Sequence, residues 1–413
     1  MKEQNGLSVN YRLHPAWRIA FACAVCVFCG LGLGRFAFGI MLPSMSTSLG
    51  LSYGQGSMLG FANLLGYLVS VLVVPSILRR WGTRNVVTGS LFIMALTMAA
   101  MAVTDGYFVL CLLYLLTGIG SGGVVLPSMS IMSQWFAPSH RGMAAGIVMS
   151  GPGFGIILTG FIVPNLMPFG ELQSWQTGWL VFGLFTVAIG AFAYSLIRNH
   201  PNDLGVERFG QAAMTSATQV SRLDGRAHMK LLVHLGLIFG IYGATYMIYV
   251  TFIVTSMMDR YGMTEDFAGW LWAFFGLLSV FSGIVFGWIS DWGGRRLGLV
   301  VSFAVLATSY LLVGFSESSL ALYASVTLFG IAAWSVPVIM AAATGDYFGP
   351  AAAASALAIS MIVFSVGQSV GPVVAGYLAE QSGDFTTSYS AAGLAAIFAV
   401  VLTLLLHAPE TVE

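Results

Sequence analysis

Hydrophobic residues in this chain gather into long, nearly unbroken runs, not into the short alternations of half-buried strands or surface helices. The runs lie at about 19–45, 55–78, 84–104, 107–135, 141–168, 175–197, 229–258, 265–290, 295–315, 318–346, 351–379 and 386–407. About 20 apolar residues in helical form cross a bilayer, and a helix satisfies its own backbone hydrogen bonds where no water can. The pattern therefore predicts an all-α membrane protein with twelve transmembrane helices. The first run continues well past the length of a signal-peptide core and meets no small-residue cleavage site, so it reads as a retained span. The most polar long stretch, 198–228, splits the spans six and six. We expect an N-terminal bundle over 1–197, a cytoplasmic linker over 198–228 and a C-terminal bundle over 229–413.

Composition then removes whole classes of function. Of 413 residues, 57% are hydrophobic and 8% charged, with a mean hydropathy of +0.86, whereas soluble domains carry about 25% charged residues. Soluble enzymes, nucleic-acid binders and disordered scaffolds are excluded. The net charge is zero, but its placement is uneven. Lys2, Arg12, Arg18, Arg79, Arg80, Arg84, Arg141, Arg198, Arg208, Arg222, Arg226, Lys230, Arg295 and Arg296 fall on one side of the ladder, and among basic residues only Arg260 falls on the other. Basic loops stay in the cytoplasm, so both termini are expected there. Cys23, Cys26 and Cys29 are spaced three apart inside an apolar helix, with only Cys111 besides. They read as small packing residues, and no metal, cofactor or disulfide is expected.

The two halves echo each other. Arg79-Arg80-Trp81-Gly82-Thr83-Arg84 follows the second span, and Asp291-Trp292-Gly293-Gly294-Arg295-Arg296 follows the eighth, 212 residues on. Gln134-Trp135-Phe136-Ala137-Pro138 has its counterpart in Asp346-Tyr347-Phe348-Gly349-Pro350 at the same offset, and Gly151-Pro152 is matched by Gly371-Pro372. Such duplication is common in secondary transporters.

On these residues the chain resembles the major facilitator superfamily over nearly its whole length. The run Gly287 through Asp291 and Gly294 to Arg295-Arg296 is close to that superfamily's loop signature, with Trp292 where an Arg is usual. The resemblance implies that Asp291, Arg295 and Arg296, with Gly287 allowing close helix approach, latch the two bundles in one state. The first copy has Arg79 in place of the acid. A plain positive-inside role remains the alternative for both copies. Gly151-Pro152 resembles the family's antiporter signature, although a proline also bends any helix. Tyr114-Leu-Leu-Thr117-Gly118 lacks the arginine associated with drug–proton antiport. Gly32-Leu-Gly34-Arg35-Phe36-Ala37 resembles a bacterial branch of the superfamily that brings no substrate with it. The family implies alternating access around a midplane cavity lined by the first, fourth, seventh and tenth helices, and usually a monomer.

Ionisable residues inside spans are expensive and mark functional sites. Away from the span ends the ladder contains one, Arg35, placed 16 residues into the first span, about 24 Å along the helix at 1.5 Å per residue; His234 lies near the start of the seventh span, and Asp291 and Asp346 lie at span ends. No Asp or Glu lies mid-membrane, so the substrate is expected to supply the anion, a small carboxylate held by the planar guanidinium fork. Tyr242, Tyr246 and Tyr249 share one face of the seventh helix, and the 212-residue offset carries Arg35 onto Met247. Tyr246 should thus lie at Arg35's depth. Trp334, Tyr114, Asn63 and Gln368 are further substrate candidates, and packing or helix–helix bonding is the alternative for each. The expected partners are an anionic small molecule, the lipid bilayer, and a co-transported proton or counter-anion. The rival reading is an exporter of neutral or amphipathic molecules, with Arg35 structural.

Overall fold

The computed structural model describes residues 14–210 and 226–406. Lys2, Arg12, Arg222 and the 211–225 stretch of the expected linker therefore lie outside the described residues. Among the described residues twelve helices span the fold: α1 (Pro15–Leu49), α2 (53–81), α3 (83–101), α4 (Tyr107–Trp135), α5 (Pro138–Ile162), α6 (Ser174–Leu196), α7 (Arg226–Asp259), α8 (265–293), α9 (295–315), α10 (Ser319–Gly349), α11 (350–382) and α12 (Thr386–Leu404). They form two six-helix bundles.

The junctions explain where the apolar runs start and stop. Pro15 opens α1, where its missing N–H costs nothing, and His14 Nδ1 accepts from Ala16 N. The helix thus begins four residues before the apolar run. Three turns are single glycines held at positive φ: Gly82 (73°), Gly294 (85°) and Gly349 (74°). Only glycine adopts that backbone without steric cost, so α2–α3, α8–α9 and α10–α11 reverse without a loop.

The backbone repeats what the sequence motifs suggested. Gly50 and Gly262 end α1 and α7 in left-handed conformation, at φ 62° and 63°. Ser52 and Thr264 then cap α2 and α8 through their side chains. Gly82 and Gly294 follow. All three pairs are 212 apart. Arg84 Nε donates to Tyr194 O in α6, and its counterpart Arg296 donates to Leu404 O in α12.

Among the described residues two irregularities lie at mid-span. Phe28–Phe36 in α1 is a π-helix, a widened turn that often accompanies function. In α10 the helix breaks at Ala333–Trp334, with Trp334 at φ −108°, ψ 13°. The freed groups are satisfied by neighbours, as a bilayer requires: Tyr242 Oη donates to Ala333 O, and Trp334 N donates to Ser282 Oγ at 3.0 Å.

Residues 198–210 return to the α4–α5 junction, where Phe209 N donates to Trp135 O and Ala137 N to Phe209 O, both at 2.9 Å. This face, the linker side, also carries the α2–α3 turn, where Arg84 N donates to Asn199 Oδ1. The bundles meet toward the opposite, distal side. An added Cβ at Gly160 would strike Gly269 O, one at Gly39 would strike Val250 O, and one at Gly376 would strike Ser57. Tyr53 Oη of α2 donates to Asp259 Oδ2 of α7 at 2.9 Å. Nearer the linker side, Gly142 and Gly146 of α5 face open space.

Candidate functional site

The π-segment of α1 is built from small residues for a reason. An added Cβ at Gly32 would lie 2.7 Å from the Cα of Gly155, and one at Gly151 would lie 2.5 Å from Ala24 O. The α1 and α5 backbones therefore touch directly. Gly34 packs against Met94, and Gly30 against Val124. Closely held on these sides, α1 projects Arg35 into the junction of the bundles, where it is 5% exposed.

The surroundings of Arg35 fix its guanidinium in an unusual way. Its Cζ sits 4.2 Å from the centroid of the Tyr67 ring, a cation–π contact that covers the flat face. Nη1 donates to Gln368 Oε1 of α11 at 3.4 Å, and the same oxygen accepts from Tyr246 Oη at 3.3 Å. Nε and Nη2 are buried with no hydrogen-bond partner. These two atoms share one edge of the guanidinium, the edge that pairs side-on with a carboxylate. Among the described residues no carboxylate lies within 4.0 Å of Arg35.

A cavity of about 10 Å³ adjoins Arg35, lined also by Asn63, Tyr114, Met247 and Thr251. Met247 thus faces the space that its counterpart Arg35 also faces. Asn63 Nδ2 donates to Gly34 O at 3.3 Å and Tyr114 O at 3.2 Å, tying α2 to α1 and α4. Tyr114 Oη in turn donates to Arg35 O at 3.3 Å.

The tyrosine stripe does not act as one unit. Tyr242 and Tyr246 stack at 5.0 Å, but the Tyr242 hydroxyl is committed to the α10 break. Tyr249 faces the interior of the second bundle, bonded to Ser325 Oγ at 2.8 Å and stacked on Phe329. Of the three, only Tyr246 reaches Arg35's partner Gln368. Trp334 stands edge-on to Tyr246 and within 5.6 Å of Phe36, bridging α10, α7 and α1. Sequence reasoning passed over Phe38 and Thr251, which also line the cavity. Thr251 carried a usable signal, being four residues from Met247 on the same helix face.

The loop signature forms a network within the second bundle. Arg295 Nη1 bonds Asp291 Oδ1 at 2.5 Å and Ser290 Oγ at 3.0 Å, while Nε bonds Asp346 Oδ2 at 2.6 Å. It joins the α8–α9 turn to the end of α10. Gly287 lies 3.7 Å from Val338 of α10 by its added Cβ. In the first half the corresponding residues are Arg79, Thr83 and Gln134, which cannot make such a network. Gly151 and Pro152 lie where α5 crosses α1. Cys23, Cys26 and Cys29 are buried and free.

Known proteins place this geometry in a family. The chain is 21% identical over 380 residues to a hexuronate transporter of Bacillus subtilis, covering 89% of each chain. It is 21% identical over 425 residues to a quinolone resistance transporter of Acinetobacter baumannii, covering 97% of this chain and 94% of that protein. Its fold superposes on a bacterial homologue of the human lysosomal transporter Spinster, solved inward-facing and unoccupied, with TM-score 0.74, 13% identity and 96% of each chain covered. The family model described as the uncharacterised MFS-type transporter YbfB matches residues 27–404. The chain therefore belongs to that family, a branch of the major facilitator superfamily, and is a multi-pass membrane transporter and not an enzyme.

Proposed function

We propose that this transporter carries a small organic anion, a carboxylate, across the cytoplasmic membrane by alternating access. The observation that carries the reading is the Nε–Nη2 edge of Arg35, buried and, among the described residues, facing no carboxylate and left without a partner while Nη1 and the flat face are occupied. Two parallel charge-assisted bonds from such an edge recognise a carboxylate bidentately. Lysine would offer only a point charge.

Tyr246 and Gln368 hold the guanidinium from the second bundle, and Tyr67 and the α1 backbone hold it from the first. A carboxylate seated on Arg35 removes the cost of a buried cation and draws both bundles onto one ligand. That supplies the differential contact any ligand-driven closure needs. Tyr242, Tyr249, Trp334 and Tyr114 position this centre in the reading, and Asp291, Arg295, Arg296, Gly287, Gly151 and Pro152 serve movement of the bundles. The basic turns on the linker side support cytoplasmic termini. His234 Nε2 is engaged with Leu402 O at 2.8 Å, so coupling falls to the substrate's own carboxyl proton or to a counter-anion. The protein works as a monomer.

The test is a thermal-shift panel of carboxylates, sulfonates, inorganic anions, neutral compounds and cations on purified protein, wild type beside Arg35→Gln. A ligand bound by the folded state raises its apparent stability. Carboxylates should stabilise the wild type and not the variant. Equal stabilisation of both proteins by neutral or amphipathic compounds would replace this reading with the exporter.

A further inference from the structure

We infer that the substrate bears a neutral hydroxyl beside its carboxylate: it is a small hydroxycarboxylic acid, read by Asn63 and Thr251. The inference rests on the carboxylate reading of Arg35 and adds to it. Among the described residues, fourteen buried side-chain polar atoms lack a hydrogen-bond partner. Four of them belong to residues around one cavity: Arg35 Nε and Nη2, Asn63 Oδ1 and Thr251 Oγ1. Buried polar groups are nearly always paired, so this concentration marks a place built to be completed by something else.

The chemistry of the four atoms is specific. Asn63 Nδ2 already donates to two carbonyls, Gly34 O and Tyr114 O. Turning the amide over would face an oxygen against both, so the hydrogen-bond pattern fixes Oδ1 as the free atom. That oxygen can only accept. A carboxylate on the Arg35 fork offers it no proton and meets it with like partial charge. It requires a donor on the ligand close to the carboxylate. An ammonium would also donate, but it would place a second cation beside Arg35, where no described carboxylate compensates it. A hydroxyl donates without charge. Its own lone pairs then face Thr251 Oγ1, which donates as readily as it accepts.

The rest of the cavity wall sets the size. Phe38, Leu64, Met247 and Val250 are apolar, and Gly39 and Gly60 add no side chain to the wall. Room of about 10 Å³ holds roughly one water, so the ligand's bulk must enter as the bundles part. This favours acids of few carbons, with an apolar remainder against Met247 and Val250.

The experiment uses matched ligands on the full-length protein by calorimetry: propanoate, 2-hydroxypropanoate, 2-methoxypropanoate, 2-aminopropanoate and propane-1,2-diol, with the four-carbon set in parallel. A site that pairs a hydroxyl discriminates strongly against analogues lacking it. The hydroxy acid should bind at least about tenfold more tightly than the unsubstituted, methoxy and amino acids, since one hydrogen bond to an otherwise unpaired group is worth roughly that factor. The diol should not bind. Thr251→Val, nearly isosteric, should shrink the ratio of hydroxy-acid to propanoate affinity. Asn63→Ala removes the acceptor and should abolish the preference, and Thr251→Val keeps the test decisive if that variant fails to fold. Equal binding of propanoate and 2-hydroxypropanoate, or tighter binding of the methoxy or amino acid, would overturn the hydroxyl inference while leaving the Arg35 carboxylate site intact. Binding by none of the acids would overturn the carboxylate reading itself.

Discussion

Replacing Arg35 with methionine should leave the ligand-free protein at least as stable as the wild type. The structure gives the terms. Two buried donors, Nε and Nη2, lack partners, and each unmade bond costs about 1–3 kcal/mol, so the substitution relieves roughly 2–6 kcal/mol. Against this stand the Tyr67 stacking at 4.2 Å, worth about 0.5–2 kcal/mol, and the long Gln368 bond at 3.4 Å, worth about 1.5 kcal/mol at the lower end of charged bonds. Gln368 Oε1 keeps its bond from Tyr246. The balance runs from about 1.5 kcal/mol destabilising to about 4 kcal/mol stabilising, centred about 1 kcal/mol on the stabilising side. Methionine also fits the volume, being unbranched and adaptable, and Met247 already occupies the counterpart position on the same cavity. The assay is thermal unfolding followed by tryptophan fluorescence in detergent, in a buffer free of carboxylates. An Arg35→Met protein that melts clearly below the wild type would refute the reasoning and make Arg35 a structural cation.

Other expectations follow from particular contacts. Gly32→Ala or Gly155→Ala forces a methyl to 2.7 or 2.4 Å of the opposing Cα, which should cost about 1–3 kcal/mol by overpacking. Gly89→Ala, with nothing within 4 Å, should be neutral or stabilising by up to about 1 kcal/mol; the same melting assay compares them. Tyr53→Phe removes the bond to Asp259 between the bundles and should shift the equilibrium toward distal opening by about 1 kcal/mol, roughly fivefold. Faster labelling of Ser57→Cys by an impermeant maleimide in that background would report it, and an unchanged rate would contradict it. Arg295→Gln breaks the network with Asp291 and Asp346. Because both acids are well exposed, the loss should be no more than about 1 kcal/mol per pair, and an inert substitution in both melting and flux assays would rule out any role for the network.

The sequence carried the fold further than it carried the site. Runs of about 20 apolar residues, the basic turns and the 212-residue echo depend on local composition, so they survive without knowledge of packing. Arg35 was legible for the same reason: a charge amid apolar residues stands out. What Arg35 touches was not legible. The π-helical segment passes Gly155, 123 positions from Gly32, and the Gln368 contact spans 333 residues. The tyrosine stripe shows the limit most clearly. Period 3.6 placed Tyr242, Tyr246 and Tyr249 on one face, but the break in α10 and Ser325 claim two of the hydroxyls. Thr251 went unnoticed because a threonine in a span usually bonds its own helix, and only the surroundings show its hydroxyl unpaired.

The most direct test of the central claim is the equilibrium affinity of the best-binding carboxylate for wild type, Arg35→Lys and Arg35→Gln. If the Nε–Nη2 edge holds the ligand, Arg35→Gln loses two charge-assisted bonds, about 3–6 kcal/mol, and Kd rises by roughly 10²- to 10⁴-fold. Arg35→Lys keeps the charge but not the fork and should recover only a small part of that loss. Full recovery by lysine would mean that charge alone is read, and unchanged affinity in Arg35→Gln would contradict the account.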